Sequence, residues 1–154
     1  MILSNDWQQF YIGMADYVAT KSKDGSTKVG AVLVRPDKTV AGIGFNGFPR
    51  RIKDHTHMLE AKTDKGKALK YMRTVHAECN CLNNTRDFDL TGYHLFVNGY
   101  PCADCALRIC STGIQYIYYK ANADLETRWA ESMLKSATLL YEAKLTVVRV
   151  EHGN

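Results

Sequence analysis

Residues 74–119 read TVHAECNCLNNTRDFDLTGYHLFVNGYPCADCALRICSTGIQYIYY, and their alternation of periods carries the architecture. Their apolar spacing predicts a helix from about Val75 to Asn83, a strand Tyr93 to Val97, a helix opened by Pro101 and closed by Gly113, and a strand Ile114 to Tyr119. Strands joined through helices lie parallel or nearly so, with helices covering both faces of the sheet. Beyond this stretch, Leu125 to Tyr141 reads as one long helix and Leu145 to Val150 as a buried strand. Before it, Val29 to Val34 and Thr39 to Phe45 flank Arg35-Pro36-Asp37-Lys38, a turn sequence, and predict a β-hairpin. Trp7, Phe10, Tyr11, Met14, Tyr17 and Val18 recur at helical spacing behind a cap at Ser4 or Asn5, and this aromatic stripe is assigned to the core. The order α-β-β-α-β-α-β-α-β predicts an α/β fold, a three-layer α/β/α sandwich around a mixed five-stranded sheet.

A chain of 154 residues with 45% hydrophobic content fits one domain, 1–154, able to bury a core without staples. No apolar run approaches membrane length, and no basic-then-apolar leader opens the chain, so a soluble cytoplasmic protein is expected, in host cytoplasm if the source is viral. Five cysteines, two of them in a C-x-x-C pair, argue against a secreted disulfide framework and for metal or redox chemistry. The net charge of +4 is concentrated: residues 50–73 carry a local +5 and the rest of the chain is near neutral. A basic insertion at about 47–73 therefore suits an anionic ligand, a nucleotide phosphate or a polynucleotide alike. Its C-terminal part reads as helical, and its length marks it as functional or mobile.

His76-Ala77-Glu78 and, twenty-six residues after His76, Pro101-Cys102-Ala103-Asp104-Cys105 each open a predicted helix. Cys102 and Cys105, three apart, project from one face of a first turn, where the positive helix end favours thiolates. With one imidazole they make three ligands. Zinc held by three protein groups keeps a fourth position for water, as catalytic sites do. A helix pointing its N-terminus at the metal lets His76 bind while Glu78 reaches that water as a proton shuttle. A lone C-x-x-C also fits a dithiol redox pair or half a structural zinc site; the upstream His76 and Glu78 weigh against both. Cys79, Cys81 and Cys110 are read as small core residues. His55 and His57, with no cysteine beside them, are read as a surface pair rather than a second metal site.

From Trp7 to Val150 the chain resembles the cytidine and deoxycytidylate deaminase superfamily, whose signature is an H-x-E and P-C-x-x-C pair. Ser26-Thr27-Lys28-Val29-Gly30-Ala31, followed by Gly42-Ile43-Gly44-Phe45-Asn46-Gly47-Phe48-Pro49-Arg50, resembles the deoxycytidylate branch, where an aromatic-Asn-Gly-Phe-Pro stretch precedes a basic insertion. Small cytidine deaminases usually carry Cys where His76 stands, and tRNA adenosine deaminases lack this Gly-Phe-Pro. The resemblance implies a fold of the cytidine deaminase type and conversion of dCMP to dUMP and ammonia, supplying thymidylate synthesis. It makes His76, Cys102 and Cys105 the ligands of one zinc per chain and Glu78 the proton donor.

It also implies substrate contacts from Asn46, Arg50 and Ala77. The amide of Asn46 offers donors and an acceptor to the sugar or base, with Gly44 and Gly47 allowing close backbone approach; the alternative is a turn-forming role. The planar fork of Arg50 suits phosphate, with Arg51 or Lys53 as alternatives. Similar family members are typically homohexamers activated by dCTP with magnesium and inhibited by dTTP, which places effector contacts at Gly44, Asn46, Gly47, Arg51 and Lys53. Two departures stand out. Asn122-Ala123-Asp124 occupies the place after the fourth strand where some relatives have a substrate-side tyrosine, and the first-half cysteines of a second, structural zinc are missing. The rival readings are a tRNA, single-stranded nucleic-acid or free-nucleoside deaminase, and a noncatalytic zinc-binding module of the same fold. Neither a membrane nor nucleic acid is expected as a partner.

Overall fold

A computed structural model of the chain describes residues 1–153. Its elements run α1 (Asn5–Ala19), β1 (Gly30–Val34), β2 (Val40–Phe45), α2 (Thr56–Leu59), α3 (Asp64–Arg73), α4 (Ala77–Asn84), β3 (His94–Val97), α5 (Ala103–Cys110), β4 (Tyr116–Lys120), α6 (Ala123–Arg128), α7 (Ala130–Glu142) and β5 (Thr146–Val150). The sheet has the order β2-β1-β3-β4-β5. β1 pairs antiparallel with both β2 and β3, while β3, β4 and β5 run parallel through their helical crossovers, so the sheet is mixed as expected. The β1–β2 hairpin turns at Lys38, whose φ of 75° is tolerated because the Asp37 carboxylate accepts from both the amide and the hydroxyl of Thr39.

Alternate residues of each strand serve two cores, which makes three layers. Leu33, Leu95 and Ile117 face α4, α5 and α7 through Ala77, Cys81, Ala106, Ile109 and Leu140. Val32, Phe96 and Tyr118 face α1 through Tyr11, Ile12, Ala15 and Val18. The buried stripe of α1 is thus rotated from the expected aromatic one. Tyr11 and Val18 are in the core, whereas Trp7, Phe10 and Tyr17 are exposed, because the small Ala15 and compact Ile12 let the helix lie close to the sheet. α1 comes close at Gly30, where a β-carbon would stand 2.1 Å from the Ala15 carbonyl oxygen, and α4 comes as close at β2. A β-carbon on Gly44 would stand 2.2 Å from the Cys81 nitrogen, so this glycine admits a helix to β2, rather than a ligand to the backbone. Gly47 has open space around it.

The expected single helix from Leu125 to Tyr141 is two helices, broken at Trp129. α6 is tied to β5 by Arg149, which donates to both oxygens of Glu126 at 2.7 and 3.0 Å, while α7 packs on α5. Within the basic insertion α3 forms as expected, capped by the Thr63 hydroxyl accepting from the Gly66 amide. Among the described residues no helix is long and apolar enough to cross a membrane.

His94 is buried in β3, stacked on Tyr116 with ring centroids 4.6 Å apart and its Nδ1 3.0 Å from the Tyr118 hydroxyl. Burial, with a smaller contribution from the positive N-terminus, lowers its pKa to about 4. The unfolded chain, titrating near 6.5, therefore takes up this proton first. Folding stability is expected to fall by on the order of 2 kcal/mol as pH drops from about 6.5 to about 4, and this group adds no loss below that window. Urea midpoints of chelated protein across this range, compared with His94→Phe, check it. An equal slope in the variant would assign the acid sensitivity elsewhere.

Candidate metal centre and active-site cavity

The two motifs meet because two helices end at the same point. His76 is the N-cap of α4 and Cys102 the N-cap of α5, both with extended backbone, so each side chain leaves the helix end rather than its flank. The Cys102 sulfur accepts from the Cys105 amide at 3.4 Å, which holds both sulfurs on the first turn of α5. His76 Nδ1 lies 3.4 Å from each sulfur. Tetrahedral zinc, at about 2.05 Å from nitrogen and 2.3 Å from sulfur, sets such atoms roughly 3.5 Å apart. The donor set therefore fits zinc in both chemistry and spacing, and the three ligand atoms all lie within 4.8 Å of one another.

The electrostatics agree. Without metal, hydrogen bonds from Cys105 first, and then from His76, draw the Cys102 thiol down to about 4. Cys105, the donor in that pair, is pushed up. The bond to Cys102 raises the His76 imidazole. The positive ends of two helices add to this preference for thiolate sulfur at the site.

Glu78, in the first turn of α4, is buried, and burial raises its carboxyl above the usual carboxylate range. It lines a cavity of about 360 Å³ together with His76, Ala77 and Cys102, a size suited to a small organic ligand. Asn46 also lines this cavity and is buried. Its Oδ1 accepts from the Val29 amide at 2.9 Å and its Nδ2 donates to the Thr27 carbonyl at 2.9 Å, so the amide braces the 27–29 segment and keeps one N–H and one lone pair spare. Arg50, Arg51 and Lys53 are exposed, and none of them lines the cavity. The structure thus gathers the metal set, Glu78, Ala77 and Asn46, and leaves the three insertion cations outside.

Four neighbours escape a reading of the sequence. Cys79, assigned to the core, is buried there, but its sulfur also lies 3.6 Å from that of Cys105; its place one turn after His76 was the available signal. Tyr100 and Trp129 line the cavity, Trp129 from the α6–α7 break. Asp24 lines it from the loop before β1, and only its run of Ser and Gly neighbours hinted at an Asx turn. The rings of His55 and His57 lie tilted at 45° with centroids 5.4 Å apart on the insertion, and they belong to no metal-ligand cluster among the described residues.

The family model of the cytidine and deoxycytidylate deaminase zinc-binding region matches residues 5–121. An uncharacterized deaminase in the luxG 3′ region of Aliivibrio fischeri is 35% identical over 92% of this chain and 91% of its own length. The deoxycytidylate deaminase of Mus musculus is 30% identical over 88% of this chain and 78% of its own. Among solved structures, the dCMP deaminase from cyanophage S-TIM5 in complex with dCMP and dUMP superposes with a TM-score of 0.77, covering 96% of this chain and 99% of that one at 20% identity, a likeness of fold. The matched family region contains both motifs and the whole ligand set, and the chain belongs to the cytidine and deoxycytidylate deaminase family of hydrolytic enzymes.

Proposed function

We propose that this chain deaminates dCMP to dUMP and ammonia, with zinc held by His76 Nδ1, Cys102 Sγ and Cys105 Sγ. The observation that carries this reading is that Glu78 lines one cavity of about 360 Å³ with His76 and Cys102, two members of the clustered His76–Cys102–Cys105 set. The curated deoxycytidylate deaminases at about 30% identity support dCMP as the substrate. Zinc, when bound, supplies the acidity that makes a water nucleophilic near neutral pH. Glu78 takes a proton from the attacking water and delivers it to the ring nitrogen beside the amino-bearing carbon, then passes the next proton to the departing amine. Its burial, which raises the carboxyl above the usual carboxylate range, favours its taking up the proton. Ala77, at the same helix end, and Asn46, through its spare N–H and lone pair, serve substrate binding.

The exposed Arg50, Arg51 and Lys53, outside the cavity, fit an effector triphosphate with its magnesium better than the substrate phosphate. The reading therefore includes activation by dCTP, inhibition by dTTP, a homohexameric assembly and a cytoplasmic setting. Ammonia release from dCMP, deoxycytidine, CMP and single-stranded DNA, with and without dCTP–Mg²⁺ or dTTP, tests it. The expected outcome is preference for dCMP, raised by dCTP and lowered by dTTP. Turnover of DNA alone would overturn the substrate, and indifference to both triphosphates would overturn the regulation.

A further inference from the structure

Asp24 has no part in the chemistry above, yet it is the most firmly held polar group on the cavity wall. Lys70, in the middle of α3, is completely buried, with its Nζ 3.0 Å from Asp24 Oδ1 and 3.0 Å from Ser26 Oγ, and 4.7 Å from the centre of the Tyr71 ring. Asp24 Oδ1 also accepts from the Ser26 amide at 2.7 Å and the Thr27 amide at 3.0 Å. Three donors thus converge on one oxygen, and a buried ion pair so satisfied is costly to disturb. The other oxygen, Oδ2, makes no hydrogen bond.

That second oxygen is not sealed inside the protein. Among the described residues, the one enclosed side-chain nitrogen or oxygen without a partner is Ser136 Oγ. Asp24 is 3% exposed and lines the cavity, so Oδ2 opens onto it. Two other carboxyl groups line the cavity, and both are committed: Glu78 to proton transfer, and Glu126 to Arg149 through both oxygens. A carboxylate only accepts hydrogen bonds, so Oδ2 calls for a donor on the ligand. dCMP carries two kinds: the amino group at the reacting carbon, which belongs beside Glu78, and the sugar 3′-hydroxyl. Its phosphate dianion offers none and is repelled.

Resting on the dCMP reading, we propose that Asp24 Oδ2 accepts a hydrogen bond from the 3′-hydroxyl of the nucleotide sugar, with Lys70 as the positioning residue that pins the carboxylate. The basic insertion, through α3, then helps to shape the sugar subsite from behind. Wild-type enzyme is expected to favour dCMP over 2′,3′-dideoxycytidine monophosphate by about 10- to 100-fold in kcat/KM, as a lost hydrogen bond to a charged acceptor predicts. In Asp24→Asn the three donors retain the amide oxygen, which puts the NH₂ where Oδ2 was, and the preference is expected to shrink to about threefold or less. If that variant does not fold, Asp24→Leu with Lys70→Met replaces the pair by apolar groups and carries the same comparison. A wild-type ratio near unity would overturn the proposal. So would a variant that keeps the full preference, which would hand the hydroxyl to another group such as Asn46. Absence of dCMP turnover by the wild type would instead sink the substrate reading; deoxycytidine against 2′,3′-dideoxycytidine would then decide Asp24.

Discussion

Glu78→Gln is expected to lower kcat by about 10³-fold while the protein keeps one zinc per chain and its melting temperature. Proton transfer by a positioned side chain contributes on the order of 10² to 10⁴ in rate, and here one carboxyl serves both the attack and the departure of ammonia, so the upper half of that range applies. Glutamine preserves the shape of the group and removes only its capacity to carry a proton. Stability is expected to change little because glutamine keeps the volume and shape of this buried side chain. The ligand atoms come from His76, Cys102 and Cys105, and Glu78 is not among them, so metal content stays at the wild-type level. Steady-state kinetics, metal analysis and thermal melting on one preparation check all three statements. Retained activity would remove Glu78 from the chemistry, and loss of zinc would make it part of the metal centre instead.

Chelation of the zinc is expected to abolish activity and to lower the melting temperature by several degrees without unfolding the domain. Both cores, on the α1 face and on the α4–α5–α7 face, are built without the metal ligands apart from the buried Cys105. The ends of α4 and α5 are also held by the packing of both helices on the sheet, independently of the three ligand side chains. A ligand held at 100 to 1,000 times its dissociation constant adds about 3–4 kcal/mol, a shift of several degrees for a domain of this size. This contrasts with small zinc domains that have no other core and unfold when stripped. Melting of chelated and zinc-restored protein, with Cys105→Ser as a variant unable to be restored, provides the check. Unfolding on chelation would make the metal structural, and activity surviving it would refute the zinc reading altogether.

Much of this was legible without coordinates because period and spacing are local properties. The helix–strand alternation of residues 74–119 follows from side-chain periodicity, and the metal set follows from two short motifs whose residue types have few other joint uses. The errors arose where burial depends on what an element packs against. The aromatic residues of α1 share a helical spacing with its truly buried stripe, and only the close approach of Ala15 to the sheet settles which face turns inward. The break at Trp129 is invisible in a pattern that suits one helix, because its periodicity continues through the residue where the two helices part. Gly44 was correctly marked as a point of close approach, but the partner is α4.

Contiguous patterns carried the layered α/β fold and pointed to the cluster of His76, Cys102 and Cys105 with Glu78 beside it, because each pattern is short and its chemistry specific. Tertiary structure alone decided that His76 presents Nδ1 from one helix end to sulfurs on another, that the insertion cations stay outside the cavity, and that Lys70 reaches from α3 to fix Asp24 on its wall. Those outcomes join residues 26 to 46 positions apart, and a one-dimensional pattern carries no information on which distant charge will be buried against which carboxylate. That choice is made when the chain closes and each buried polar group must find its partner.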